Sequence, residues 1–131
     1  DKTIKQNIDK SIELLVKSAY DFMHSYVLLC LLFIKHFKSN FKMIRNSIGQ
    51  KTKQESRLSY LICQEVKVIN SYGESYIEYL YDYYSKANFL YNIENMPILS
   101  SKISKENQIN INSKRKDVSS EFYEGFGYDI L

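Results

Sequence analysis

The sequence predicts an all-α fold: a long antiparallel helical hairpin, coiled-coil-like, with a C-terminal tail or short third helix packed on it. Three observations predict it. Apolar residues recur every three or four positions from Ile4 to Ile48, and again from Ile62 to Leu90. A turn signal, Gly49 followed by Thr52, stands between the two runs. Of the four Gly and one Pro in 131 residues, only Gly73 falls inside a predicted helix. A chain of this length builds one domain with a single core.

The first helix, about 3–48, is read from Ile4, Ile8, Ile12, Leu15, Ala19, Phe22, Tyr26, Leu29, Phe33, Phe37, Phe41, Ile44 and Ile48. These positions form one stripe along a helix. Thr3 and Gln6 offer a capping-box start, and Gly49 can close the helix in a left-handed conformation. Lys38-Ser39-Asn40 is a polar step at which the helix can kink. Thr52-Lys53-Gln54-Glu55 then fits a second capping box, and so short a turn joins antiparallel neighbours.

The second helix, about 52–95, carries Ile62, Val66, Ile69, Gly73, Tyr76, Leu80, Tyr83, Ala87 and Leu90. Steps of four and three alternate, the 3.5-residue repeat of a helix that faces another. Gly73 reads as a place of close helix approach, and Pro97 ends the run. The hairpin thus covers 1–95 and the tail 96–131. In the tail, Ile98, Leu99, Ile103 and Ile109 can place a short helix, Gln108 to Ser120 reads as a polar loop, and 121–129 is aromatic and acidic.

Two hairpin helices leave apolar surface over. From Tyr26 to Ile34 the chain is apolar all round the helix, so Leu28, Leu31 and Leu32 point away from the seam. Exposing each would forgo about 1.5–3 kcal/mol. Their expected cover is the chain's own tail, a second copy, a separate partner or a membrane, the last disfavoured because nine residues reach only about 13–14 Å. Tyr72, Tyr76, Tyr79 and Tyr83 follow at helical spacing, with Tyr81 and Tyr84 beside them. Such a band suits an interface, or packing beneath the tail. The expected partner-binding residues are Leu28, Leu31, Leu32, Tyr79, Tyr81 and Tyr84.

Charge is also uneven. Residues 35–57 hold Lys35, Lys38, Lys42, Arg45, Lys51, Lys53 and Arg57 against Glu55 alone, a net +6 in a chain whose total is +3. The hairpin tip, with Lys38, Lys42, Arg45, Lys51, Lys53 and Arg57, is therefore an expected anion-binding site for an acidic protein or an anionic membrane surface. Nucleic acid is disfavoured: only Arg45 and Arg57 supply guanidinium groups, and no reader motif is present.

Catalytic chemistry finds little to stand on. In a hairpin turning at Gly49, Cys63 falls near Lys38 and out of disulfide reach of Cys30, so both are expected to be free thiols. His24 and His36 are separated by about 120° around the helix and do not converge on a metal. His36 falls opposite Glu65, where an ion pair is expected. Zinc-knuckle spacing, a Glu-x-x-His pair and a phosphate loop are all missing from the sequence. No apolar run approaches the roughly 18–20 residues that span a bilayer. The sequence thus leads to no catalytic, cofactor or metal site and no small-molecule substrate.

Two resemblances are short. Tyr123-Glu124-Gly125-Phe126-Gly127-Tyr128 resembles the hydrophobic motif that ends AGC-type protein kinases, with Gly127 at the phosphoacceptor place. The long hairpin with a basic region is similar to BAR-type membrane-binding dimers, although these carry basic charge along a concave rod and here it gathers at one end. The expected function is a non-catalytic helical interaction or assembly module. It would dock a protein, or a second copy of itself, through the apolar and Tyr-rich face, with the basic tip as a second contact. The alternative is a membrane-surface protein that binds anionic lipid.

Overall fold

A computed structural model describes residues 2–17, 22–86, 99 and 103–124. Among these residues there are seven helices and no strand: α1 (Lys2–Lys17), α2 (Phe22–Phe37), α3 (Phe41–Ile48), α4 (Lys53–Tyr72), α5 (Glu74–Lys86), α6 (Lys105–Ser113) and α7 (Ser120–Glu124). The all-α class is as the sequence predicts. The two long helices are not: the stripe from Ile4 to Ile48 is divided over α1, α2 and α3, and the second helix over α4 and α5. Residues 87–98, which include Pro97 and the expected end of the second helix, lie outside the described residues.

α2 forms the centre. Every residue from Ser25 to Phe33 is buried, and α1, α3, α4 and α5 all pack on this helix. α1 does not run on into α2 but lies along it, placing Ile8 and Leu15 in the same core as Leu28, Leu31 and Leu32. The physical reason is the one that makes α2 legible as a helix without a wet face. An all-round apolar segment needs neighbours on every side, and an amphipathic helix of similar length supplies one of them.

The next division falls at the polar step. Lys38 takes a left-handed φ of +52°, and Asn40 caps α3 by accepting a hydrogen bond from the Met43 N–H at 3.1 Å. Gly49 closes α3 at φ +94°, its N–H donating to the Arg45 carbonyl at 2.9 Å. The expected capping box then opens α4. The Glu55 N–H donates to Thr52 Oγ1 at 3.0 Å, and the Glu55 carboxylate accepts from the Thr52 and Lys51 N–H groups at 2.9 and 3.1 Å.

α3 and α4 run antiparallel, but in another register than a tight turn at Gly49 implies. Asn70 donates to Ser39 at 3.1 Å, Lys67 lies 5.2 Å from the centre of the Phe41 ring, and Arg45 bonds to Cys63. Cys63 therefore faces Arg45, not Lys38, a slide of about two helical turns. In this register about the first two turns of α4, with its capping box, extend beyond the end of α3.

Gly73 ends α4 at φ +69°. A Cβ at this position would meet the Lys116 carbonyl oxygen at 2.0 Å, so the close approach that the sequence implies is made by the tail backbone, not by a facing helix. The Glu74 N–H donates to that same carbonyl at 2.9 Å, and the Glu74 carboxylate accepts from the Ser119 N–H and hydroxyl at 3.0 and 3.1 Å. The tail is more helical than its polarity predicts. Ser104 caps α6 by accepting from the Asn107 N–H at 3.2 Å, and α6 buries Ile111 while leaving Ile109 exposed.

Candidate functional site

The expected docking face of α2 is not a surface. Leu28, Leu31 and Leu32 are at most 1% exposed within the single chain. The reading of an uncovered flank assumed one continuous first helix; once α1 lies along α2, that flank is core. The Tyr band is also largely engaged. Tyr72, Tyr76, Tyr79 and Tyr83 form a ladder with ring centres 6.1–6.4 Å apart along the α4–α5 junction and α5. Tyr76 is fully buried, and Tyr79 is half-buried with its hydroxyl bonded to Asn107 of α6. Burial pushes the Tyr81 hydroxyl up to about 12. The Tyr84 side chain lies outside the described residues.

The basic tip does reach solvent. Lys38, Lys42, Arg45, Lys51 and Lys53 are exposed and Arg57 is half-exposed. The register brings Lys67 of α4 to the side of α3 and adds an eighth cation from the stretch that begins at Lys35. Tyr60 precedes Lys67 by two turns and shares its face of α4. Tyr60 and Met43 are 49% and 44% exposed, two of the three large apolar side chains exposed among the described residues. One exposed-side carboxylate offsets these charges on α3 and α4, Glu55, whose oxygen accepts backbone N–H groups at the turn; Glu65 is buried. The exposed surface of α3 and α4 is therefore strongly basic, and Met43 and Tyr60 are the large apolar side chains exposed on it.

Glu65 occupies a second polar site, inside the core. It is 3% exposed and accepts a hydrogen bond of 2.6 Å from the Tyr76 hydroxyl, with the Tyr26 hydroxyl of α2 nearby. Burial pushes its carboxyl up to about 7, partly offset by the two tyrosine hydroxyls. Burial also holds the Cys30 thiol well above its ordinary value, with Glu65 nearby adding to the effect. The ion pair expected between His36 and Glu65 is not formed. Glu65 turns inward to the tyrosines, while partial burial and then Lys35 lower the pKa of His36. The sequence spacing does not mark this site: Glu65 and Tyr76 are eleven apart, about 16 Å along a straight helix, and come together across the break at Gly73.

Cys30 and Cys63 are both buried free thiols. Burial raises Cys63 above the usual thiol value, against the lowering effect of Arg45. The His24 side chain lies outside the described residues. Among the described residues, no three His, Cys, Asp or Glu gather as a metal ion requires, and no helix is long and apolar enough to cross a membrane. The described surface also holds a cleft of about 430 Å³ between α5 and α6, lined by Ser75, Glu78, Tyr79, Asp82, Asn107, Asn110, Ile111 and Lys114. Nothing in the sequence pattern marks it, because half of its lining comes from the segment read as a tail.

No protein-family model matches the chain, and neither a curated protein nor a solved structure shows significant similarity to it.

Proposed function

We propose that this chain is a non-catalytic helical module that docks an acidic protein surface on the cationic face of α3 and α4. The observation that carries the reading is the composition of that face. Lys53, Tyr60 and Lys67 follow at seven-residue steps along one exposed face of α4, the neighbouring α3 adds the exposed Lys42 and Arg45, and the carboxylates of these two helices are limited to Glu55 at the turn and the buried Glu65. Clustered charge of one sign steers an oppositely charged partner and speeds encounter, while an aromatic side chain among the charges supplies contact area once docked. The non-catalytic part of the reading rests on the ionisable groups. The most perturbed carboxyl, Glu65, sits in a closed core between tyrosines.

A protein partner is favoured over a membrane by where the apolar faces go. A membrane-surface helix buries a continuous apolar face in the lipid interface. α3 and α4 direct theirs, with Ile44, Ile48, Leu58, Leu61, Ile62, Val66 and Ile69, into the core. Only Met43 and Tyr60 remain outside on these two helices as large apolar groups.

The test uses a labelled oligoglutamate peptide whose binding to the full chain is followed by anisotropy at low salt. Binding is expected to weaken at least about tenfold in the triple variant Lys42→Glu, Lys53→Glu, Lys67→Glu, and to fade as salt screens the charges. Tyr60→Ala is expected to weaken it without altering the salt dependence. Absence of binding, or binding that survives the triple reversal, overturns the proposal. Flotation with anionic vesicles in preference to peptide binding overturns it in favour of a lipid surface.

A further inference from the structure

We propose that Lys114-Arg115 is a processing site for a paired-basic endoprotease, which cuts between Arg115 and Lys116 once the tail lifts from Gly73 and Glu74, and so frees the segment that carries α7. The run Lys114-Arg115-Lys116 is the one place in the 131 residues where basic residues adjoin. The fold sets it between helices: α6 ends at Ser113, α7 begins at Ser120, and all three basic side chains are exposed. Asp117 approaches the Arg115 guanidinium at 3.9 Å, but a pair this open to water holds it weakly.

Charge and spacing select the class of enzyme. A protease that reads two adjoining cations offers two neighbouring acidic pockets, each pairing one Lys or Arg with a carboxylate. Single basic residues such as Lys42, Arg45 and Lys53 fill one pocket only, and they lie in helices. A protease cleft takes its substrate as extended chain, which favours an exposed connection over a helix.

The side chains are open, but the backbone around the bond to be cut is tied. The Lys114 N–H donates to the Ile111 carbonyl at 3.3 Å and the Arg115 N–H to the Asn112 carbonyl at 3.2 Å. The Lys116 carbonyl accepts from the Glu74 N–H at 2.9 Å, and the Glu74 carboxylate holds Ser119 further on. Extending the chain across the bond releases these contacts, so the rate of cutting follows the population in which the tail is lifted. Hydrolysis breaks the bond between the Arg115 carbonyl carbon and the Lys116 nitrogen; water gives its hydroxyl to the carbon and a proton to the nitrogen. The tail then loses its covalent link to α6 and stays only at the full entropic cost of association. Val118 and Phe122, half-buried against the core, leave with it.

The test digests the full chain under native conditions with a kexin-type paired-basic endoprotease and follows intact mass. The first product is expected to end at Arg115, and the part from Lys116 onward to separate from the rest in gel filtration. Lys114→Gln is expected to slow this enzyme at least about tenfold, while trypsin, which reads one basic residue, still cuts after Arg115. Glu74→Ala removes both bonds to Ser119 without straining the backbone and is expected to speed the cut at least about threefold. Gly73→Ala, which drives a Cβ into the Lys116 carbonyl, is expected to speed it further. Should Gly73→Ala fail to fold by circular dichroism, Glu74→Ala decides. No cut, a first cut elsewhere, a fragment that stays bound, or a rate that Glu74→Ala leaves unchanged overturns the proposal.

Discussion

Glu65 concentrates the electrostatic cost of this fold in one side chain. A glutamate in the unfolded chain titrates near 4.5, and burial moves Glu65 to about 7 in the fold. Between those values the folded chain keeps a proton that the unfolded chain has released. Stability therefore falls as pH rises through that window, and the loss is complete above it. A shift of this size corresponds to a loss on the order of 3 kcal/mol. Glu65→Gln keeps the shape and an acceptor oxygen for Tyr76 but cannot ionise. Urea unfolding at pH values from 5 to 8, about the window itself, is expected to show an unfolding free energy that falls with pH for the native chain and no longer falls for the variant, in which the lowered His36 leaves at most a shallow rise. The variant is expected to be the more stable of the two at the alkaline end. An unchanged slope in the variant would assign the titration to another group.

α2 shows how a helix can be legible while its neighbour is not. Its all-round apolar run from Tyr26 to Ile34 identifies a buried helix from sequence alone, and the demand for cover on Leu28, Leu31 and Leu32 follows from it. The covering helix was in view too, as Ile4, Ile8, Ile12 and Leu15, but one stripe with steps of three and four reads the same whether a helix runs straight on or folds back. The polar step at Lys38-Ser39-Asn40 was visible and became the cap of α3, because Asn is a strong helix-start residue. The turn chemistry of Thr52 and Glu55 was fully local and therefore fully legible, whereas the α5–α6 cleft depends on where a distant segment docks and was not.

The packing of α2 makes a prediction opposite to that of a docking face. Leu28→Glu with Leu32→Glu places two unpaired charges in a sealed core. Each such charge costs several kcal/mol, and together they rival the roughly 5–15 kcal/mol that holds a domain folded. Far-ultraviolet circular dichroism is expected to show loss of helix and of cooperative unfolding at every protein concentration. A folded variant that changes only its mass in solution would place these leucines against another molecule.

Seen along its full length, the described chain is closed by its own tail and divided by charge. The basic stretch sits on α3 and α4, while Glu74, Glu78 and Asp82 line α5, against which α6 packs. The fastening point joins residues more than forty positions apart: Gly73 and Glu74 on one side, Lys116 to Ser119 on the other. Its geometry depends on the absence of a side chain. At φ +69° an L-residue is strained, and a Cβ would collide with the Lys116 carbonyl, which is backbone and cannot swing aside. Gly73→Ala is therefore expected to cost about 2–4 kcal/mol, near the upper end for a single substitution. Hydrogen exchange locates the damage. The Glu74 and Ser119 amides, bonded across this junction, should lose protection before the amides of α2 and α4 do. If the variant instead unfolds with all amides exchanging together, the tail is part of one cooperative unit with the core. Unchanged protection at Glu74 and Ser119 would mean that the tail is not held there.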